Sequence, residues 1–250
     1  MDFSVCIDSI FRGMDRTAAL GKLKEAGYGK FEFWNWWEGD MDALAAKAKA
    51  LSLDCHTFCT RHIGLTDPGR REAWLAGLKE SIETAKKFGT RLLISQGGDD
   101  TGARRDFQYN SVLEGLKAAA DLLQGTDITL LLEPLNTKID HRSVWLESSD
   151  EGFSLVKEAG SPNIRLLFDI YHQQISEGDI LRRLEANIGL VGHIHCAGNP
   201  GRHEIYRGEL DYAFIFRELA GMAYRGSVGL EYFPTEDPAA GLKKILDMIP

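Results

Sequence analysis

Four short apolar runs in the second half of the chain each end on a side chain that can hold a metal or a proton. They are Leu130-Leu131-Leu132-Glu133, Leu166-Leu167-Phe168-Asp169, Gly192-His193-Ile194-His195 and Gly229-Leu230-Glu231. Side chains alternate across a strand, so Leu132, Phe168, Ile194 and Leu230 face one way and Glu133, Asp169, His195 and Glu231 the other. Burying three carboxylates together costs several kcal/mol per charge, or forces protons onto them. A divalent cation removes that penalty. Two Glu, one Asp and one His make a hard, mostly oxygen set, which suits Mn²⁺ or Mg²⁺, with Co²⁺ as a third choice, and suits structural zinc poorly. The competing reading is a ring of rim acids paired with Arg and Lys from neighbouring loops.

The elements that must position these groups follow a repeated pattern of apolar strand, polar turn and amphipathic helix. Strands are expected at 3–8, 30–34, 53–59, 91–97, 129–135, 164–170, 190–197 and 227–233. Helices are expected at 16–27, 41–51, 70–89, 109–124, 148–159, 178–187, 211–224 and 237–248. Asp15, Asp40, Asp67-Pro68 and Ser149 supply start signals, and Gly27, Gly89 and Gly160 supply stops. Strict alternation over 250 residues predicts parallel strands and a single (β/α)8 TIM barrel, one domain spanning 1–250. In such a barrel chemistry gathers at the carboxyl ends of the strands, where the four groups lie. No Gly-x-Gly-x-x-Gly follows the first strand, and Ser95-Gln96-Gly97-Gly98-Asp99-Asp100 lacks the Lys-Ser/Thr ending of a phosphate loop. No nucleotide cofactor is expected.

A net charge of −8 and an isoelectric point near 5.4 argue against nucleic acid as a partner. No run approaches the roughly 18 apolar residues of a membrane span, and the N-terminus has no signal-like segment, so the expectation is a cytoplasmic protein with no membrane partner. Four scattered cysteines suit reduced thiols. Cys55-His56-Cys59-His62 superficially resembles a zinc site, but along one strand its cysteines would stand about 13 Å apart, too far for one tetrahedral ion. No Gly-x-Ser-x-Gly elbow supports nucleophilic hydrolysis.

The motifs 131–137 (Leu-Leu-Glu-Pro-Leu-Asn-Thr), 168–175 (Phe-Asp-Ile-Tyr-His-Gln-Gln-Ile), 192–195 (Gly-His-Ile-His), 200–204 (Pro-Gly-Arg-His-Glu), 208–212 (Gly-Glu-Leu-Asp-Tyr) and 229–232 (Gly-Leu-Glu-Tyr) occur in order. Together they resemble the hydroxypyruvate isomerase family, part of the xylose isomerase-like TIM barrels, which also include ketose 3-epimerases and abasic-site endonucleases. The resemblance covers roughly 129–245 and is weak before that. It implies a divalent cation on Glu133, Asp169, His195 and Glu231, with Glu133 and Glu231 also flanking the substrate as an acid–base pair, and His172 and Arg202 binding substrate oxygens. Physical chemistry agrees, because moving a proton between carbons beside a carbonyl needs positive charge near the developing oxyanions and a carboxylate on each side.

Two departures stand out. His195 takes a position where many hydroxypyruvate isomerases have Gln and the ketose epimerases have His, and residues 139–145 depart from the expected loop. The expected activity is therefore interconversion of a small hydroxy-carbonyl compound, hydroxypyruvate and tartronate semialdehyde first. Ketose 3-epimerisation is the alternative, and a non-catalytic sugar-binding barrel is the further rival. Cleavage at abasic DNA is disfavoured by the acidic charge. His56 and Gln96 are further candidate substrate contacts, and His193 is expected to support the site from one pleat deeper. The aromatic run Phe31, Phe33, Trp34, Trp36 and Trp37 would either wall the pocket or form the surface of a homo-oligomer.

Overall fold

The computed structural model describes residues 2–222 and 224–248. Eight parallel strands, β1 (Asp2–Cys6), β2 (Lys30–Asn35), β3 (Asp54–Cys59), β4 (Leu92–Gln96), β5 (Thr129–Glu133), β6 (Ile164–Asp169), β7 (Val191–Cys196) and β8 (Ser227–Leu230), close in sequence order into a barrel. Around them run α1 (Ile7–Ile10), α2 (Arg16–Glu25), α3 (Met41–Leu51), α4 (Arg71–Phe88), α5 (Arg105–Leu123), α6 (Ser149–Ala159), α7 (Ile170–Ser176), α8 (Ile180–Asn187), α9 (Tyr212–Gly221) and α10 (Pro238–Asp247). This is the (β/α)8 TIM barrel that the alternation predicts.

The expected start signals act locally. Asp15 accepts from the backbone N–H groups of Thr17 and Ala18, and Asp40 from those of Asp42 and Ala43, satisfying donors that have no partner inside the helix. Two corrections follow the same logic. Ser148, not Ser149, caps α6, and Asp67 closes a short 3₁₀ turn over Pro68–Arg70 before α4 begins. Residues 7–8 and 170, expected at strand ends, instead open α1 and α7, which follow directly on β1 and β6. Asp169 starts α7 by accepting from the N–H groups of Tyr171 and His172 at 2.7 and 3.1 Å.

The barrel separates two apolar layers. Leu132, Phe168, Ile194 and Leu230 pack with the helices, whereas Cys59, Ile94, Leu131 and Leu167 fill the interior beneath the site, with Trp34 and Leu92 against them. Phe31 and Phe33 belong to the helix side, in a cluster with Phe58 and Phe88, which corrects the expectation that they wall the pocket. A register shift where Phe31 and Glu32 meet Cys55 and Thr57 leaves His56 as the extra residue. The shift also divides the cysteines of the superficial zinc motif, with Cys55 in the outer layer and Cys59 inside the barrel. All four cysteines are free and buried. Among the described residues no helix is long and apolar enough to cross a membrane.

Candidate metal centre and active site

β5 and β6 end on Glu133 and Asp169, β7 carries His195, and Glu231 directly follows β8. Register does the rest: Asp169 lies opposite His195, and His195 opposite Gly229. One ligand atom from each of Glu133, Asp169, His195 and Glu231 lies within 4.8 Å of the others. All four residues are buried. His195 Nε2 is 2.8 Å from Glu32 Oε2. Its other nitrogen, Nδ1, is buried without a hydrogen-bond partner and stands 3.3 Å from Glu231 Oε2 and 3.8 Å from Glu133 Oε1. An unpartnered imidazole nitrogen aimed among three carboxylates could hold a divalent cation, and the chemistry of these residues fits one.

The surroundings drive the carboxyls apart. Burial, reinforced by Glu231 and Asp169, pushes Glu133 up to about 8, and burial also raises Asp169. Burial opposes ionisation of Glu231 too, but Arg202, His195 and Trp34 outweigh it and hold that carboxyl well below the usual range. The partners are close: Arg202 Nη2 donates to Glu231 Oε2 at 2.5 Å and Trp34 Nε1 to Oε1 at 2.5 Å. Gln96 Nε2 reaches Glu133 Oε2 at 3.5 Å.

His172 and Arg202 complete the wall. Both are buried, and both line a cavity of about 280 Å³ with Trp34, Glu133, His195 and Glu231. Asn136 Oδ1 accepts from the N–H groups of Ile139 and Asp140, so its amide nitrogen faces His172 Nδ1 at 2.6 Å. That donor leaves Nδ1 as an acceptor and the proton on Nε2. Burial, with Arg202 and His141 nearby, keeps the ring neutral by pushing it well below its usual value. His172 Nε2, 3.7 Å from Asp169 Oδ2, is thus a neutral donor. Arg202 has left-handed backbone, φ 57°, and lies over the rings of Tyr171 and Phe233. Its carbonyl accepts from Phe233 N at 2.7 Å. Two residues on, the buried Glu204 accepts from the N–H groups of Thr235 and Glu236 and from the Thr235 hydroxyl, tying the loop after β7 to the loop after β8.

The cavity adjoins a second one, about 430 Å³, that shares His62, Gln96, Leu135 and His141 and reaches Arg70 and Asp99. His56 is not brought to either cavity. As the bulged residue of β3 its ring packs on His193, 4.8 Å between centroids, and burial with His193 pushes it down to about 4. Trp34 is the member of the aromatic run that lines the site, while Trp36 and Trp37 stack on Arg61. Glu32 was missed by sequence reasoning. It is 2% exposed and meets both His193 and His195; an acid between Phe31 and Phe33 inside an apolar strand was the available signal.

Comparison with known proteins places these observations in a family. The profile described as xylose isomerase-like TIM barrel matches residues 20–250. The 2-oxo-tetronate isomerase of Cupriavidus necator is 36% identical over 176 residues, 70% of this chain and 67% of that protein. The hydroxypyruvate isomerase of Escherichia coli is 28% identical over 251 residues, 96% of each chain. Among solved structures, a family 2 AP endonuclease from Brucella melitensis superposes with a TM-score of 0.94 at 28% identity, covering 100% of this chain and 99% of that one. The chain belongs to the xylose isomerase-like TIM barrel family.

Proposed function

We propose that this member of the xylose isomerase-like TIM barrels is a divalent-cation-dependent isomerase of a small hydroxy-carbonyl compound, with hydroxypyruvate and tartronate semialdehyde as the first pair to test. The observation that carries the reading is the unpartnered Nδ1 of His195 facing Glu133, Asp169 and Glu231, together with relatives named hydroxypyruvate isomerase and 2-oxo-tetronate isomerase. Glu133, Asp169, His195 and Glu231 would hold the cation, Mn²⁺ or Mg²⁺ by the chemistry of the set. When bound, the cation supplies the positive charge that the oxygens of a deprotonated substrate need.

The chain's own groups do the rest. Glu133 and Glu231 would bracket the bound carbons, one taking a proton from the carbinol carbon and the other returning one to the neighbouring carbon, while the carbinol hydroxyl proton passes to the former carbonyl oxygen. Arg202 and Trp34 hold Glu231 ionised, the form that accepts a proton. His172 donates from Nε2 to a substrate oxygen, and Arg202 adds charge on the same side. Trp34, Ile94, Leu135 and Phe233 give the cavity its apolar lining. A net charge of −8 and a site with a single imidazole ligand weigh against abasic-DNA cleavage.

The adjoining 430 Å³ cavity favours a second reading in which a longer ketose is epimerised at C3 by the same carboxylates. Incubating the protein with Mn²⁺ and, in turn, hydroxypyruvate, a four-carbon 2-oxo acid, fructose and tagatose separates the two by product. Glu133→Gln and Glu231→Gln should each abolish turnover with the fold intact. Near-normal rates in either would sink the acid–base assignment, and a wild type that neither takes up a cation nor turns over any of these compounds would leave a binding barrel.

A further inference from the structure

Beneath the candidate metal centre lies a closed polar layer that the proposed reaction does not use. Glu32 on β2 and His193 on β7 are buried. Glu32 Oε1 accepts from His193 Nε2 at 2.8 Å and from the Ser4 hydroxyl, and Oε2 lies 2.8 Å from His195 Nε2. A carboxylate accepts hydrogen bonds and does not donate, so His195 must present Nε2 as N–H to this layer. That leaves Nδ1 as the nitrogen available to the carboxylate cluster above. Close packing enforces the arrangement. A Cβ on Gly229 would stand 2.5 Å from His195 Cδ2, 2.7 Å from Glu32 Oε1 and 2.9 Å from His193 Nε2, so nothing larger than glycine fits beside the three side chains.

We infer that Glu32 is a positioning residue for the metal centre: from below, it fixes the orientation and tautomer of His195 so that Nδ1 faces Glu133, Asp169 and Glu231. The inference rests on the proposed cation site. Glu32 lines neither cavity of the mouth, and Ser4 and His193 occupy its other oxygen and hold the carboxylate in place.

Two variants and two measurements test it on the full chain. Glu32→Ala removes the acceptor; Mn²⁺ should then bind ten- to a hundredfold more weakly by calorimetry. Glu32→Gln keeps the shape and can turn its amide oxygen to His195 while the amide donates to His193, whose Nδ1 has no partner. Its affinity should therefore recover to lie between Glu32→Ala and wild type. The second measurement needs no metal. In the cation-free wild type the His195 Nε2–H should give a protected imidazole N–H resonance, retained in Glu32→Gln and lost in Glu32→Ala. Mn²⁺ affinity in Glu32→Ala within twofold of wild type, a Gln variant no better than Ala, or a resonance that survives in Glu32→Ala overturns the inference. If wild type binds no Mn²⁺ the proposed cation site fails, and the N–H resonance still decides whether Glu32 orients His195.

Discussion

Asp169 divides its carboxylate between two tasks, which makes Asp169→Asn a sharp perturbation. Oδ1 accepts from the N–H groups of Tyr171 and His172 at 2.7 and 3.1 Å and starts α7. Oδ2 faces the site, 3.7 Å from His172 Nε2 and 3.9 Å from Arg202 Nη2. Asn caps helices as well as Asp does, so the variant keeps the helix start and replaces only the site-facing oxygen by a neutral amide. Burial raises the Asp169 pKa above its unfolded value. The ionised carboxylate is therefore a cost to the cation-free fold at every pH above the folded pKa, and the cost vanishes below the unfolded one.

Removing such a functional penalty commonly gains about 1 kcal/mol, or about 2–4 °C in Tm for a chain of this size. Bound cation reverses the order. Wild type in Mn²⁺ at about a hundredfold over Kd gains about 2.7 kcal/mol, which is about 5–11 °C, whereas the variant has lost a ligand and should gain under about 2 °C. Thermal unfolding of both proteins in EDTA and in Mn²⁺ reads all four values. A variant that melts below wild type in EDTA, or shifts as far as wild type in Mn²⁺, refutes the argument.

Two further outcomes follow from the same site. Glu133, pushed up to about 8, holds a proton in the native state that the unfolded chain has already released, so cation-free stability should fall as pH rises from about 6 to about 8; saturating Mn²⁺, which competes with that proton, should remove the fall. Melting curves in EDTA that do not move over this range would show Glu133 ionised throughout. Gly229→Ala drives a methyl against His195, Glu32 and His193 and should cost about 1–3 kcal/mol in urea unfolding, together with a loss of Mn²⁺ affinity; a neutral substitution would mean that these side chains yield easily.

The barrel was legible because alternation, caps and glycine stops agree locally with the global fold. All eight strands fall within a few residues of the expected runs. That Glu133, Asp169, His195 and Glu231 come together was legible because a strand end is a short-range signal that recurs at one depth of the barrel. What escaped notice depends on more than one strand. Glu32 looks like an interruption of an apolar run until His193 and His195 arrive from the other side of the barrel. His56 was misplaced because a bulge is set by the pairing of two strands. The α7 turn was hidden because Asp169 was read as a ligand alone, when its other oxygen starts a helix.

Glu204 and the backbone bonds around Arg202 give the mouth two unlike sides. On the β7–β8 side the arginine is bonded to its neighbours at every level, through its carbonyl, its guanidinium and the buried carboxylate two residues on. A change there disturbs several bonds at once. The opposite side, where His62, Arg70, Asp99 and His141 line the larger cavity, is built of loop residues whose replacement leaves Glu133, Asp169, His195 and Glu231 in position. Substitutions that change which substrate is taken are therefore expected to be tolerated better on the β3–β5 side than on the β7–β8 side.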